Sequence, residues 1–285
     1  MVELEGWGNR RSVQLAQGTI SYRDLGAGPT LLFVHGLLAN GTLWRDVVPP
    51  LAGNFRCIVP DMPLGGHSVA MNPEADLTPP GMAQIVADLM DVLDLHDVTL
   101  VGNDTGGAIC QIVVATHPQR LAGLVLTNCD AYEAFFPWLI SPFHYGARLL
   151  GERFTGALAL ALRHRPAQRL FLWTVARRRM DETTLDAYFA SFVRDAGVRR
   201  DTARFLAAVS NRYTLKAARS FPSFRRPVLL VWGKDDLFFS SRLAHRLQRD
   251  FPVARLEFLS RSRAFVPEDR PDALATLIAG FVGER

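Results

Sequence analysis

Val101–Gly107 reads VGNDTGG, preceded by the apolar run VTLVG and followed by the helix-like AICQIVVATH. An aspartate thus stands at the tip of a glycine-flanked turn between a predicted strand and a predicted helix. Asp104 could cap the helix, attack a substrate or handle a proton, because a helix N-terminus favours negative charge. Its neighbours along the chain decide between these roles.

Working outward, the first 130 residues alternate strand and helix patterns. TLLFVHG, FRCIVPDMP, DVTLVG and LAGLVLTN are apolar runs of strand length, and TISYRD alternates. TLWRDVVPPLA reads as one short helix. LTPPGMAQIVADLMDVLDL reads as a long amphipathic helix with its prolines early, where a missing N–H costs little. Apolar strands separated by helices predict a parallel sheet covered on both faces. From 131 to about 220 the pattern is helical and rich in Phe, Leu and Arg. RPVLLVWGKDD and ARLEFLS then restore strands, with helices at SSRLAHRLQRDF and DRPDALATLIAGFVG. The organisation is an α/β core, 1–130 with 221–285, interrupted by a helical insertion over 131–220.

The 285 residues are 48% hydrophobic, enough for a full core. No stretch approaches the roughly 18 uninterrupted apolar residues of a membrane span, and the N-terminus lacks a secretory apolar region. Cys57, Cys110 and Cys129 lie in or beside apolar runs and read as buried free thiols of a cytoplasmic protein. The net charge of +4 is uneven: Gly146–Arg226 holds 16 Arg and one Lys against six acids. Those arginines fall mostly on polar helix faces, so neither nucleic acid nor membrane is an expected partner. No metal motif and no phosphate loop occurs, so no cofactor is expected.

Parallel sheets bind ligands at the carboxyl ends of their strands. Here those ends carry HGLLAN, DMPLGGHS, GNDTGG, TNCD and WGKDD. In G-x-D-x-G the glycines permit a tight strand-to-helix turn that projects the central side chain, the logic of a nucleophile elbow. With FVHGLLANGTLW, VPDMPLGGHS, LVGNDTGGAICQIVVATHP, PVLLVWGKDD and FVPEDRP, the chain resembles the α/β-hydrolase superfamily along nearly all its length. An aspartate at the elbow is similar to the branch of epoxide hydrolases and haloalkane dehalogenases. The resemblance implies a mostly parallel sheet flanked by helices, with the insertion as a cap. It implies Asp104 as nucleophile, Asp236 as supporting acid with Asp235 as fallback, and the backbone N–H groups of Leu37 and Thr105 as oxyanion donors.

Three positions depart from that pattern. Thr105 and Leu37 stand where haloalkane dehalogenases carry halide-binding Trp and Asn, which disfavours dehalogenation. Of the two cap tyrosines that epoxide hydrolases use, only Tyr213, in SNRYTLK, has a candidate segment. The family histidine position, in SRSRAFVPEDRP, holds Ala264, and no histidine lies beyond His245. His67 and His144 are the histidines at plausible crevice positions to substitute as base. The expected activity is epoxide hydrolase-like, on a small apolar or aromatic molecule. Alternatives are a non-hydrolytic lyase, isomerase or cyclase using Asp104 as proton shuttle, an impaired or engineered His-to-Ala form, or a ligand-binding member.

Overall fold

A computed structural model describes residues 7–284. Eight strands form one sheet in the order β1-β2-β4-β3-β5-β6-β7-β8. They are β1 (Arg10–Leu15), β2 (Gly18–Leu25), β3 (Thr30–Val34), β4 (Arg56–Pro60), β5 (Val98–Asp104), β6 (Leu121–Cys129), β7 (Val228–Gly233) and β8 (Ala254–Leu259). β1 and β2 pair antiparallel, as do β2 and β4; every later pairing is parallel. The central strands β5 and β7 are buried at every residue, which is why their sequences are continuous apolar runs.

Helices cover the sheet. They are α1 (Val48–Leu51), α2 (Pro79–Val92) and α3 (Thr105–Thr116), then α10 (Ser241–Asp250), α11 (Val266–Asp269) and α12 (Pro271–Gly283). Between β6 and β7 run six helices: α4 (Ser141–Leu150), α5 (Glu152–Ala161), α6 (Arg165–Val175), α7 (Glu182–Arg194), α8 (Ala196–Ala208) and α9 (Asn211–Ala218). α4, α5 and α6 gather around Phe143, whose ring lies 5.9 Å from Phe154 and 6.5 Å from Phe171. Cys57, Cys110 and Cys129 are buried free thiols.

Two local readings change. The segment expected as one helix, TLWRDVVPPLA, is a 3-10 turn over Gly41–Trp44 followed by the four-residue α1. Pro49 and Pro50 have no N–H to bond back into the preceding turn, so a helix starts near them and cannot run through them. β1 was not anticipated, because its residues are largely exposed and polar at the sheet edge.

One buried polar cluster joins α7 to α11 and to the segment before α1. Arg45, after the 3-10 turn, forms a two-armed ion pair with Glu268 of α11, its Nη2 donating to Oε2 at 2.8 Å. The Tyr188 hydroxyl of α7 donates to the same carboxylate. Glu268 is fully buried.

Candidate active site

β5 hands over to α3 at Asp104, whose φ of 55° and ψ of −130° are a strained conformation for a residue with a side chain. Glycines make the turn possible. A Cβ on Gly106 would lie 2.2 Å from the Val34 carbonyl oxygen, so α3 could not sit this close to β3. A Cβ on Gly36 would lie 2.1 Å from Asp104 Oδ2, so that glycine lets the turn after β3 close over the carboxylate. The Asp104 side chain makes no capping bond to α3.

It is held instead from the turn after β3, where the Leu37 N–H donates to Oδ2 at 2.9 Å. Burial raises its pKa to about 6, and the neighbouring donors of Thr105 and Leu37 oppose the rise. The carboxyl lies in a cavity of about 30 Å³. Leu37, Ile140, Phe143, Phe171, Val175, Phe238 and Phe265 line it, and Thr105 and Thr174 supply its hydroxyls. α4 and α6 of the helical layer thus form part of its wall.

Asp236 follows β7. It accepts from the Asn128 side-chain amide at 2.6 Å and from the Phe238 N–H at 2.9 Å. Burial lifts its pKa to about 7, and the charge of Asp104 adds to the rise. Asp235 instead pairs with Arg177 across 2.6 Å, and neither aspartate is among the residues lining the cavity at Asp104. Ala264 is fully buried. Its carbonyl accepts from Asn103, the residue before Asp104, at 2.7 Å, while the next N–H, of Phe265, donates to Val175 at 2.7 Å.

The two candidate substitute bases, His67 and His144, and the candidate cap tyrosine, Tyr213, lie elsewhere. His67 is buried, with Nδ1 accepting from the Gly65 N–H at 3.3 Å and Nε2 facing Asp201 of α8 at 3.4 Å. His144 Nδ1 lies 2.9 Å from the Leu206 carbonyl. His144 and Tyr213 line a separate, more polar cavity with Arg148 and Arg212. None of the three lines the cavity at Asp104. His35 is also structural. Nε2 accepts from the Met62 N–H at 2.8 Å and Nδ1 meets the Gly36 carbonyl at 2.9 Å, while burial lowers its pKa to about 4.

The structure adds a group that motif reading passed over. Asp130, one residue beyond β6, is fully buried, and the Thr105 hydroxyl lies 3.2 Å from its Oδ2. Burial and the charge of Asp104 push its pKa far above the carboxylate range. Its only sequence signal is its place at a strand end, in TNCD.

Similarity to known proteins follows the same architecture. The family model described as alpha/beta hydrolase fold matches residues 29–271. Haloalkane dehalogenase 2 of Mycobacterium tuberculosis is 29% identical over 92% of this chain and 91% of its own length. Among solved structures, haloalkane dehalogenase DbeA from Bradyrhizobium elkani superposes with a TM-score of 0.81 at 22% identity, covering 97% of both chains. A putative ancestral haloalkane dehalogenase gives 0.81 at 23% identity, covering 96% of this chain and 98% of that one. At these identities the two structures speak to the fold.

Proposed function

The chain belongs to the alpha/beta hydrolase fold family, and on that premise we propose that it acts on a small apolar electrophile through Asp104, by an epoxide hydrolase-like reaction. One observation carries this reading. Asp104 Oδ2 is fixed by a backbone N–H, which leaves Oδ1 available to attack a molecule held in the apolar cavity. Residues 131–220 would act as the cap that supplies part of the wall.

In this reading Oδ1 attacks an epoxide carbon, the carbon–oxygen bond breaks, and the resulting alkoxide takes a proton from solvent. Water then adds to the ester carbonyl and gives its proton to bulk solvent; Asp236, with a pKa near 7, does not line the cavity and keeps a supporting role. The Leu37 and Thr105 N–H groups hold the tetrahedral oxyanion. Collapse releases the diol and restores the Asp104 carboxylate, now carrying an oxygen from water. An epoxide suits this site better than a haloalkane. Its leaving oxygen stays attached to the carbon skeleton, whereas a departing halide would find no side-chain N–H among the lining residues.

A second reading, Asp104 as proton shuttle in a lyase or isomerase, draws support from the second buried carboxyl beside Thr105. Turnover in heavy-oxygen water with styrene oxide and short alkyl epoxides separates the two. Nucleophilic hydrolysis places label in Asp104 and leaves an ester visible by intact-protein mass; turnover without label in Asp104 supports the shuttle and removes the hydrolase reading.

A further inference from the structure

α4 is a partition between two cavities. Its Phe143 lines the apolar one at Asp104. Ser141, His144, Tyr145 and Arg148, spaced i, i+3, i+4 and i+7 along one face of the same helix, line an open cleft of about 590 Å³. The start of α9 supplies another wall of that cleft, and no residue lines both cavities. The reaction proposed at Asp104 leaves the cleft unused, yet its volume falls in the range of small-molecule sites, about 300–1,000 Å³. Its charge is one-sided. Arg148 has no hydrogen bond and no acidic partner among the described residues. Arg212 engages Tyr213, its guanidinium 4.6 Å over the ring and bonded to the hydroxyl. Glu133, the one carboxylate in the lining, is paired with Arg246 at 2.7 Å. Past Arg212 and Tyr213 a second groove continues with Lys216 and Arg219 and adds no acid. The cleft therefore carries positive charge that nothing in its lining offsets.

We propose that the cleft between α4 and α9 is a second binding site, one that takes an aromatic carboxylate on Arg148 and Arg212. A planar guanidinium presents two parallel N–H donors that match the two oxygens of a carboxylate. The aromatic part of the ligand follows from the rest of the lining. Phe135 and Phe136, packed edge to face at 5.7 Å, border the cleft. Tyr145 is 58% exposed there, its ring meeting His144 at 5.0 Å. Rings offer such a surface flat contact at little conformational cost. A bare inorganic anion would leave the aromatic lining in water, and an uncharged aromatic would leave the guanidiniums without a counter-ion.

The site is independent of the reaction at Asp104, so binding alone tests it. Titration calorimetry of the intact chain compares naphthalene-2-carboxylate with naphthalene-2-carboxamide, its uncharged match. The carboxylate should bind with a submillimolar Kd, about tenfold tighter than the amide, and should lose about tenfold in affinity when Arg148→Gln and Arg212→Gln are combined. Both arginines are exposed helix residues, and glutamine is nearly as good a helix former, so the double variant should fold with an unchanged thermal midpoint. Should it not fold, the comparison of acid with amide on the parent decides. Asp104→Asn, in the other cavity, should bind the carboxylate as the parent does. Equal affinity for acid and amide, an affinity untouched by the double variant, or loss of binding in Asp104→Asn overturns the proposal. So does the absence of binding at millimolar carboxylate. Displacement of the carboxylate by an equal concentration of inorganic phosphate would show a plain anion site and overturns the aromatic assignment.

Discussion

Asp104 carries a cost that its burial explains. An acid whose folded pKa is raised from 3.8 to about 6 binds its proton more tightly in the native state. Its contribution to stability is therefore present below about pH 3.8 and is lost as pH rises through 6. Asp104→Asn, which removes the buried charge and keeps the shape, should thus be more stable than the parent at neutral pH, by up to about 3 kcal/mol. The gain should shrink on acidification, and thermal melts across pH check it; a gain independent of pH refutes the assignment. In the proposed reaction attack needs the carboxylate, so turnover of an epoxide should rise as pH passes about 6, measurable as the acidic limb of kcat/KM. At this scale the sequence was informative about Asp104, because G-x-D-x-G between strand and helix has few uses. It was uninformative about Asp130 and about which histidines face the cavity. Those depend on which way a side chain points after the strands are in register, and no local pattern encodes that.

The elements explain why the turn cannot be relaxed. Gly106 starts α3 against the carbonyls of Val34 and His35, and backbone atoms cannot swing aside as a flexible side chain can. Gly106→Ala should push α3 off β3 and destabilise the protein by about 1–3 kcal/mol, with a larger loss of activity than of stability. Denaturant unfolding alongside turnover tests this; an unchanged midpoint would mean the two elements can separate freely. Buried central strands were legible because burial on both faces demands continuous apolar runs. β1 was not, since an edge strand with largely exposed residues carries no such run. The split of TLWRDVVPPLA was readable in principle from Pro49 and Pro50, whose missing N–H groups outweigh the helical spacing around them.

For the whole molecule, the fastening of Arg45, Glu268 and Tyr188 matters more than any surface ion pair. Glu268 is fully buried and Arg45 nearly so, and removing one member leaves an uncompensated charge. Glu268→Ala should cost about 3–5 kcal/mol, and Tyr188→Phe about 1 kcal/mol. Chemical unfolding of both variants measures the difference, and near-equal losses would show that the hydroxyl rather than the charge holds the cluster. The three residues come from separate stretches of the chain: before α1, within α7 and in α11. A recombinant that exchanged only the helices between β6 and β7 for those of a relative would import a foreign α7 beside a native Arg45 and Glu268. Such a graft would strand a buried acid beneath a seam that no longer fits it. Transplanting those helices with different substrate preferences therefore requires carrying the partners of Tyr188 along with them.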